Sequence, residues 1–576
     1  MQQARPIIAV VDDEPGPLGA LLDALTRRFG GDYRVVPFLS AEAALAALEG
    51  MKREAEEIAL VIADQWMPEM NGNELLARVH RVEPTAKRAL LVAWGDRTAS
   101  PTVLEGCAFG ELDNYLVKPW SPAEVHLYPL VSEFLAEWTR DYRPGMELVR
   151  VVGADPSPRT HEVTELLARN GIPLGFHDVA SAAGKRLLAD LGLGPERLPV
   201  LLLLDGTALV DPTNPEIMDA LGAKGPDDLA CDLAVVGAGP AGLAAAVYGA
   251  SEGLQTIVIE REVIGGQAGA SSLIRNYLGF PRGISGAELT QRAYQQAWLF
   301  GAKYVFARAV SRLAARGADR VLSLSDGREV VARAVIVATG ASYRRLAIPR
   351  LERFIGTGVF YTTYVGPASR NRDVVVVGGG NSAGQAALHL ARGARRVMLV
   401  VRGDALERSM SDYLVQQIRR TANLDVRLRS EIVDADGEHR LERVTIRDAA
   451  GAMESVPVGL VVVLVGVTPR TEWLGAAVER DGRGFVLTGT DLPPGTWGLS
   501  RPPMLLETSI PGVFAAGDVR YGSVKRVASA VGEGAVAVQH VHESLASPQG
   551  DVAVAAAPRR LAGAGASSGD PVPIHR

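Results

Sequence analysis

Short apolar runs alternate with amphipathic stretches along most of this chain. In the first 140 residues the mostly apolar runs are Ile7–Val11, Leu60–Ala63, Ala89–Ala93 and Asn114–Val117. Runs of this length, separated by helical patterns, are typical of a parallel sheet with helices packed on it. The pattern therefore predicts an α/β fold.

The alternation is interrupted at two places, which predicts separate domains. Arg143-Pro-Gly145 breaks it first, and Ala223–Asp227 has the composition of a linker. Residues 147–222, which lie between the breaks, form a small predicted α/β unit. Its elements are a strand over Glu147–Val152, a helix over about 160–169 and a strand over Val200–Leu204. From Ser547 onward the chain is rich in Ala, Gly, Ser and Pro without periodicity, which predicts a disordered tail.

Composition excludes several classes of protein. The 576 residues are enough for about three to five domains, and the formal net charge of −6 argues against a nucleic-acid partner. No apolar run reaches the length of a membrane span, and the N-terminus lacks a signal-peptide layout. With two cysteines there is no disulfide framework. We expect a cytoplasmic protein with neither a nucleic-acid nor a membrane partner.

A glycine-rich fingerprint follows the apolar run Leu233–Val236. Its glycines are Gly237, Gly239 and Gly242, and Glu260 ends the next predicted strand 18 residues later. A strand that ends in such a loop and opens a helix lets the backbone approach a pyrophosphate, and the acid can bind a ribose hydroxyl. These four residues are therefore predicted to bind a dinucleotide.

A second fingerprint lies about 140 residues further on. Gly378, Gly380, Ser382 and Ala383 follow the run Val374–Val377. Two fingerprints imply two dinucleotides, and we expect one flavin and one nicotinamide.

Residues 232–545 as a whole resemble the low-molecular-weight thioredoxin reductase branch of the pyridine nucleotide-disulfide oxidoreductases. The further motifs that carry the resemblance are Gly265-Gly266-Gln267, Asn276–Pro281, Thr339-Gly340, Gly517-Asp518 and Val524–Gly534. The resemblance implies FAD. It places Gly266, Gln267 and Asn276 at the isoalloxazine ring and Asp518 at the ribityl chain. It places Lys525, Arg526 and Val527 where a helix N-terminus faces the flavin pyrimidine.

The breaks in the pattern and this resemblance together imply the domain boundaries. A nicotinamide-binding domain is inserted within the flavin-binding domain of such proteins. The expected domains are an α/β domain at 1–142, a smaller α/β domain at 146–224, FAD-binding parts at 230–347 and 471–546, a NAD(P)H-binding domain at 348–470 and a disordered tail at 547–576.

Arg402 bears on the choice of nicotinamide cofactor. It ends the second strand after the second fingerprint, where a preference for NADH would place an acid. An arginine there can pair with the 2′-phosphate of NADPH. The family's basic motif is partly present, with Gly403 and Glu407 at two of its positions and Arg408 beside them. NADPH is favoured over NADH.

The redox-active cysteine pair of the resembled family is missing. Aligned on Gly358–Tyr361, its two positions hold Thr362 and Val365, and the chain's cysteines are Cys107 and Cys231. A hydroxyl and an aliphatic side chain cannot exchange thiols. No catalytic side chain is therefore assigned beyond the flavin itself, and the electron acceptor is left open.

The first segment resembles a response-regulator receiver domain of flavodoxin-like fold. Asp12 and Asp13 follow the first strand, Asp64 follows the third, and Lys118 follows the fifth with Tyr115 at the switch-aromatic position. The resemblance implies phosphorylation at Asp64 and a histidine kinase as partner. Oxygen ligands suit Mg²⁺, and Asp13, Asp64 and Trp66 are its expected ligands.

Val92 departs from the receiver pattern, because the resembled domains have Thr or Ser there. Without that hydroxyl the phosphoryl group loses a hydrogen-bond donor. Signalling that does not depend on phosphate is the alternative.

Residues 147–222 resemble a thioredoxin or glutaredoxin fold more weakly. Ala154–Pro158 occupies the place of a redox motif, and Leu198-Pro199-Val200 resembles the start of the cis-proline strand. The segment has no cysteine, so we expect a role in docking or dimerisation.

Together these features predict an FAD-dependent NAD(P)H oxidoreductase fused to a receiver. It would pass hydride from NADPH to FAD and on to a quinone, a ferredoxin-like protein, a small disulfide or oxygen. The alternative is a signalling protein whose flavin module senses nicotinamide redox state. The resemblance also implies a homodimer.

Overall fold

The computed structural model describes residues 5–94, 112–142, 147–155, 157–280, 283–362, 369 and 371–546. Cys107, Val365, the break at 143–145 and the predicted tail at 547–576 lie outside these ranges. No helix among the described residues combines the length and the apolar character that a bilayer crossing requires.

The N-terminal unit (residues 5–142) is a parallel five-stranded sheet of order β2-β1-β3-β4-β5. Apolar clusters cover both of its faces, so the central strands β1 and β3 are buried along their whole length. Its elements are Ile7–Val11 (β1), Pro15–Phe29 (α1), Arg34–Phe38 (β2), Ala41–Arg53 (α2), Ile58–Asp64 (β3), Gly72–Val82 (α3), Lys87–Ala93 (β4), Asn114–Lys118 (β5), Ala123–His126 (α4) and Tyr128–Tyr142 (α5).

The middle unit (residues 147–222) is a four-stranded mixed sheet of order β7-β6-β8-β9. Strand β6 pairs in parallel with β7 and antiparallel with β8, and the Leu198-Pro199 peptide before β8 is cis. Its elements are Val149–Gly153 (β6), Pro158–Arg169 (α6), Leu174–Asp178 (β7), Ala182–Asp190 (α7), Val200–Leu203 (β8), Ala208–Val210 (β9) and Asn214–Ala220 (α8).

The unit that contains the first glycine-rich fingerprint (residues 230–347 and 471–546), which we call the first dinucleotide unit, is built on a seven-stranded sheet. The order is β12-β11-β10-β15-β14-β13, and β26 returns from late in the chain to pair in parallel with β15. Its elements are Ala230–Val236 (β10), Pro240–Ser251 (α9), Thr256–Glu260 (β11), Gly266–Gly269 (α10), Gly286–Leu299 (α11), Lys303–Phe306 (β12), Val310–Arg316 (β13), Asp319–Leu324 (β14), Glu329–Val337 (β15), Val513–Ala515 (β26) and Val527–Ala546 (α15).

The second dinucleotide unit (residues 348–470) has a parallel sheet of order β17-β24-β18-β19-β20 and a three-stranded antiparallel sheet of order β21-β22-β23. Its elements are Pro349–Glu352 (α12), Val359–Phe360 (β17), Asp373–Val377 (β18), Asn381–Ala391 (α13), Arg396–Val400 (β19), Asp412–Arg420 (α14), Leu424–Arg427 (β20), Glu431–Asp436 (β21), Arg443–Arg447 (β22), Met453–Pro457 (β23) and Leu460–Val463 (β24).

Two short strands carry the chain into and out of the second dinucleotide unit. Ala341–Tyr343 (β16) and Val467–Pro469 (β25) pair antiparallel and form a two-stranded sheet of their own. The second dinucleotide unit is therefore joined to the first by two paired strands, each three residues long.

Candidate functional site

The first fingerprint is a tight loop in which two glycines are required by packing. Gly237 has φ of 105°, and a Cβ there would lie 2.5 Å from the carbonyl oxygen of Ala338. A Cβ on Gly242 would lie 1.8 Å from the carbonyl oxygen of Gly237. Gly239 differs, because it is the N-cap of α9 and a Cβ there meets no atom within 4 Å. The loop thus leaves open space in front of a helix N-terminus.

The second fingerprint repeats this geometry in the other dinucleotide unit. Gly378 has φ of 144°, and its Cβ would lie 2.5 Å from the carbonyl oxygen of Leu464. Gly380 is the N-cap of α13, and a Cβ there also meets no atom within 4 Å. Ala383 is fully buried, and its Cβ would stand 3.1 Å from one on Gly378. An alanine therefore fits at the third position, where the first fingerprint requires Gly242.

Glu260 is held by the backbone of the first fingerprint. It ends β11, is 6% exposed, and accepts hydrogen bonds from the N–H groups of Ala238 at 2.7 Å and Glu262 at 2.8 Å. Burial raises the pKa of its carboxyl group, and the two N–H donors oppose that rise. The carboxylate is fixed in direction and retains lone pairs for a further donor.

One cavity of about 3360 Å³ borders both dinucleotide units, at the first fingerprint through Gly237 and Gly239 and at the second through Ser382. Of the predicted cofactor-binding residues, its wall contains Gly237, Gly239, Glu260, Gly266, Gln267, Thr339, Gly340, Ser382, Gly517, Asp518, Lys525, Arg526 and Val527. Asn276 lines a small neighbouring pocket together with Arg526 and Val527. Gly242, Gly378, Gly380, Ala383 and Arg402 are not among the wall residues.

Direct contacts bring the second fingerprint helix against the first dinucleotide unit. The hydroxyl of Ser382 is hydrogen-bonded to the phenol of Tyr343, whose pKa is raised by burial. Gln385 Nε2 lies 3.5 Å from the carbonyl oxygen of Leu273. The side of α13 that carries Ser382 and Gln385 therefore lies at the wall of the cavity into which the first fingerprint opens.

The two segments that carry the chain between the dinucleotide units, around β16 and β25, are held by hydrogen bonds at the cavity wall. Thr339 Oγ1 donates to the carbonyl oxygen of Arg470 at 2.8 Å, and Gln267 donates to the carbonyl oxygen of Ala341. The guanidinium of Arg470 lies 3.0 Å from Glu262. Burial opposes ionisation of Glu262, but Arg470 and Arg261 outweigh it and lower the pKa.

Strand β19 ends at Val400 and not at Arg402 as predicted, so Arg402 lies two residues beyond it; it is exposed and makes no ion pair with any residue that the structure describes. The acids closest to it in sequence are already paired. Asp404 lies 3.0 Å from Arg408, and Glu407 is paired with Arg419. The guanidinium of Arg402 is therefore uncommitted.

The predicted Asp518 motif lies beside the N-terminus of α15. Gly517 N–H donates to Glu533 at 2.7 Å, and Lys525 Nζ donates to the carbonyl oxygen of Asp518 at 2.9 Å. Burial raises the pKa of Asp518, and the charge of Lys525 opposes the rise. Burial likewise lowers the pKa of Lys525. An acid and an ammonium thus meet at the cavity wall with their charged forms partly desolvated.

The described cysteine is not placed for redox chemistry. Cys231 lies within β10 and is 8% exposed. Burial raises the pKa of its thiol to about 12, so its thiolate is scarce at neutral pH. Thr362, at one of the expected dithiol positions, has its hydroxyl 3.2 Å from the Glu165 carboxylate of the middle unit.

The predicted acidic site of the N-terminal unit is assembled at the carboxyl ends of β1, β3 and β5. Carboxylate oxygens of Asp12, Asp13 and Asp64 lie within 4.8 Å of one another. Lys118 Nζ lies 2.7 Å from Asp12 and also pairs with Asp64. The backbone N–H of Trp66 donates to Asp64 at 3.1 Å. The arrangement combines oxygen donors with a fixed ammonium.

The two charged partners in this site shift each other's protonation. Burial raises the pKa of Asp64, and its contacts with Lys118 only partly offset that rise. Burial also disfavours the charged form of Lys118, but hydrogen bonds to Asp12 and Asp64 outweigh it and raise its pKa. Val92 is buried, and Tyr115 is 45% exposed.

Three contacts in this region were missed from the sequence: Glu165 with Thr362, Arg470 with Glu262 and Glu533 with Gly517. Glu165 forms an i,i+4 pair with Arg169, which on a helix resembles an ordinary surface pair. No local signal in the sequence names a partner 197 residues away.

Comparison with known proteins agrees with this geometry. Residues 231–534 match the family described as pyridine nucleotide-disulphide oxidoreductase. This chain belongs to that family. Residues 8–128 of this oxidoreductase match the response regulator receiver domain, so it is a thioredoxin reductase-like module fused to a receiver.

The relatives of this oxidoreductase cover about half of it. Thioredoxin reductase of Treponema pallidum (strain Nichols) is 34% identical over 309 residues, which are 53% of this chain and 94% of that protein. The 34.2 kDa protein in the rubredoxin operon of Clostridium pasteurianum is 32% identical over 308 residues, with shares of 53% and 94%.

Among solved structures, T. acidophilum thioredoxin reductase matches with a TM-score of 0.51 and 28% identity, covering 56% of this chain and 100% of that one. Lactococcus lactis thioredoxin reductase in the FR conformation matches with a TM-score of 0.50 and 28% identity, with shares of 55% and 99%.

The raised pKa of Asp64 generates a prediction about stability and pH. A carboxyl group with a raised folded-state pKa opposes folding when it is ionised, and that cost disappears as the pH falls through the folded-state pKa. Asp64→Asn should therefore raise the midpoint of thermal unfolding on the order of 2 °C at neutral pH. The gain should shrink in mildly acidic buffer.

The measurement is a thermal melt in chelator-treated buffer at both pH values. Asp23→Asn, which changes an exposed carboxylate on α1, is the matched control and should leave the midpoint unchanged. A lower midpoint for Asp64→Asn at neutral pH would contradict the assignment of the shift to burial.

Proposed function

We propose that the protein is an FAD-dependent NAD(P)H oxidoreductase controlled by its fused receiver. The observation that carries the proposal is the shared cavity. Its wall includes Gly239, the open N-cap of α9, and Ser382 in the first turn of α13, and the Ser382–Tyr343 contact lies at the same wall. Two dinucleotides bound there would meet within one enclosed volume.

The residues of the first dinucleotide unit fit FAD. Gly239 leaves a cradle that a side chain would fill, and its helix N-terminus suits a pyrophosphate. Glu260 is oriented to accept from a ribose hydroxyl, and Asp518 can accept from a ribityl hydroxyl. Bound FAD would supply two-electron chemistry, as acceptor from a reduced nicotinamide and donor to the next carrier.

The residues of the second dinucleotide unit fit NADPH. The N-terminus of α13, with Gly380 as its open cap, suits the pyrophosphate. Arg402 is exposed and uncommitted, as a residue that pairs with a 2′-phosphate must be. The neighbouring acids, Asp404 and Glu407, are held by arginines and do not compete for it.

The route by which electrons leave distinguishes this protein from the relatives named thioredoxin reductase. The chain has two cysteines, and Cys231 is buried with a strongly raised pKa. Thr362 binds a carboxylate and cannot form a disulfide. We therefore propose transfer directly from the flavin to an acceptor without an internal dithiol. A quinone, a ferredoxin-like protein, a small disulfide and oxygen are the candidates.

The receiver site is proposed to bind Mg²⁺ and to be phosphorylated at Asp64 by a histidine kinase. Three carboxylates within 4.8 Å repel one another unless cations neutralise them, and Lys118 supplies one positive charge. Val92 cannot donate a hydrogen bond to a phosphoryl oxygen, so phosphate-independent docking is the alternative.

An electrostatic interaction between Asp113 and Arg392 offers a route from the receiver to the nicotinamide site. Burial opposes ionisation of Asp113, but Arg88, Lys87 and Arg392 outweigh it and lower its pKa. Arg392 directly follows α13, whose other end carries the second fingerprint. Helix α13 therefore extends from Arg392, whose charge acts on Asp113 of the N-terminal unit, to the proposed NADPH site.

A second candidate function is redox sensing with little turnover, and the fused receiver favours it. Steady-state NADPH consumption in the presence of quinone, ferredoxin, disulfide and oxygen separates the two. Turnover with any of them supports the enzyme, whereas flavin reduction without turnover supports the sensor.

The two cap glycines provide a matched test of cofactor assignment. Both precede a long helix and both have open space where a side chain would stand. Gly239→Val should yield a folded, colourless protein, because the branched side chain fills the proposed pyrophosphate site. Gly380→Val should remain yellow and lose reduction by NADPH.

The measurements are the flavin absorbance per chain and the rate of anaerobic reduction by NADPH, with circular dichroism to verify folding. A wild-type protein that stays colourless after FAD is added would contradict the flavin assignment. A Gly380→Val variant that NADPH reduces at the wild-type rate would contradict the assignment of the second fingerprint.

The free guanidinium of Arg402 predicts a preference for NADPH over NADH. A charge-assisted contact contributes about 1.5–3 kcal/mol, which corresponds to roughly tenfold to a hundredfold in the ratio of the two affinities. Arg402→Ala should erase that ratio in anaerobic flavin reduction. Arg443→Ala, which removes an exposed arginine on β22 of the same unit, should preserve it. Equal affinity for both nucleotides in the wild type would refute the assignment.

A further inference from the structure

One face of α6 in the middle unit contacts both dinucleotide units. His161, Glu165 and Arg169 are spaced four residues apart, which places them in a row on one face of the helix. Each of the three touches a different partner outside the middle unit. The helix therefore bridges the two dinucleotide units rather than lying on one of them.

The N-terminal half of α6 packs on the second dinucleotide unit. The ring centroids of His161 and Phe360 are 4.5 Å apart, and burial lowers the pKa of His161, which favours the neutral imidazole. Thr362 Oγ1 donates to Glu165 at 3.2 Å. At Gly356 a Cβ would stand 2.8 Å from the Cα of Pro158, so the two backbones approach closely there.

The C-terminal end of the same helix binds the first dinucleotide unit. Arg169 Nη2 donates to the carbonyl oxygen of Gly266 at 2.5 Å, and Asn170 accepts from the Ile264 N–H at 3.4 Å. Val263 is 3% exposed and belongs to the apolar core of the middle unit, where it packs with Val163 and neighbouring leucines. This side of the contact is anchored by apolar burial as well as by hydrogen bonds.

Glu165 connects the contacts that α6 makes with the two dinucleotide units. It accepts from Thr362 and lies 3.0 Å from Arg169, so a continuous row of contacts runs from Thr362 to the carbonyl oxygen of Gly266. The side chains of Glu165 and Arg169 are 20% and 13% exposed, which limits screening of their attraction by solvent. A single carboxylate therefore couples the second dinucleotide unit to the cavity wall of the first.

The row of contacts from Thr362 to Gly266 supplements a short covalent connection between the two dinucleotide units. The chain crosses between the dinucleotide units only through β16 and β25, each three residues long. Units joined in this way move relative to one another unless a further interface holds them. The α6 interface holds both, and it covers the segment that ends at Thr362.

We propose that the middle unit is a built-in clamp that occupies the surface around Phe360 and Thr362 and fixes the second dinucleotide unit against the first. The partner that fits this surface is thus the chain's own α6, and another protein cannot reach the segment while α6 is in place. The proposal goes beyond the electron-transfer function, and the test below requires neither FAD nor NADPH.

The test measures how accessible position 362 is in the full chain. Thr362→Cys is introduced with Cys107→Ser, so that the other thiol is the buried Cys231. Its rate of modification by a soluble maleimide is compared with that of Met453→Cys, an exposed position on β23. The clamp predicts modification of position 362 about tenfold slower or more than at position 453, because reaction requires α6 to lift away.

Opening the clamp should remove that difference. His161→Ala combined with Glu165→Ala should increase the rate at position 362 by about tenfold, since ring packing and a charged hydrogen bond are both lost. Glu162→Ala is the matched control. Glu162 lies on the same helix, is more than half exposed, and bonds Arg159 and Asn214 within the middle unit. It should leave the rate unchanged, and neither variant should alter position 453.

Two results would overturn the proposal. One is modification of position 362 as fast as position 453 with α6 intact. The other is an unchanged rate in the folded double variant. If circular dichroism shows that the double variant misfolds, Glu165→Gln decides instead, because it keeps the shape but loses the attraction to Arg169. It should still increase the rate several-fold, and no increase would contradict the clamp.

Discussion

The close approach of a glycine loop to a crossing segment is the constraint on which the rest of the site depends. At Gly237 the loop lies against the carbonyl of Ala338, three residues before β16 begins. At Gly378 it lies against the carbonyl of Leu464, three residues before β25 begins. Each dinucleotide unit therefore sends its crossing strand out directly beside its own fingerprint. Because β16 and β25 pair, both fingerprints lie near the connection between the units, and one cavity borders parts of both.

Much of this arrangement could be predicted from the sequence. Ile7–Val11 has the bounds that the apolar pattern indicates, and Thr256–Glu260 ends at Glu260 as predicted, because both strands are buried throughout. The α/β class and the receiver fused to a reductase-like module are confirmed. Residues 7–11, 58–64 and 114–118 place Asp12, Asp64 and Lys118 at one sheet edge, since the carboxyl ends of parallel strands meet there.

The remainder depends on signals that a short window of sequence does not carry. Strand β2 was missed because it is a half-exposed edge strand containing Pro37, so it has no apolar run. Strands β21, β22 and β23 were missed for a similar reason, because they are half-exposed and contain no long apolar run. The Val200–Leu204 strand ends one residue early, with Leu204 exposed in a turn. Contacts such as Glu165 with Thr362 join distant parts of the chain and become visible only in the folded protein.

The central claim is that electrons pass through the flavin without an internal dithiol, and electron counting tests it most directly. The purified protein, loaded with FAD, is titrated anaerobically with dithionite while the flavin absorbance is followed. A flavin alone accepts two electrons, whereas a flavin in equilibrium with a dithiol–disulfide pair requires four. The account predicts complete reduction at two electrons per FAD, and the same value in the Cys107→Ser, Cys231→Ser double variant. A wild-type value of four that falls to two in that variant would contradict it.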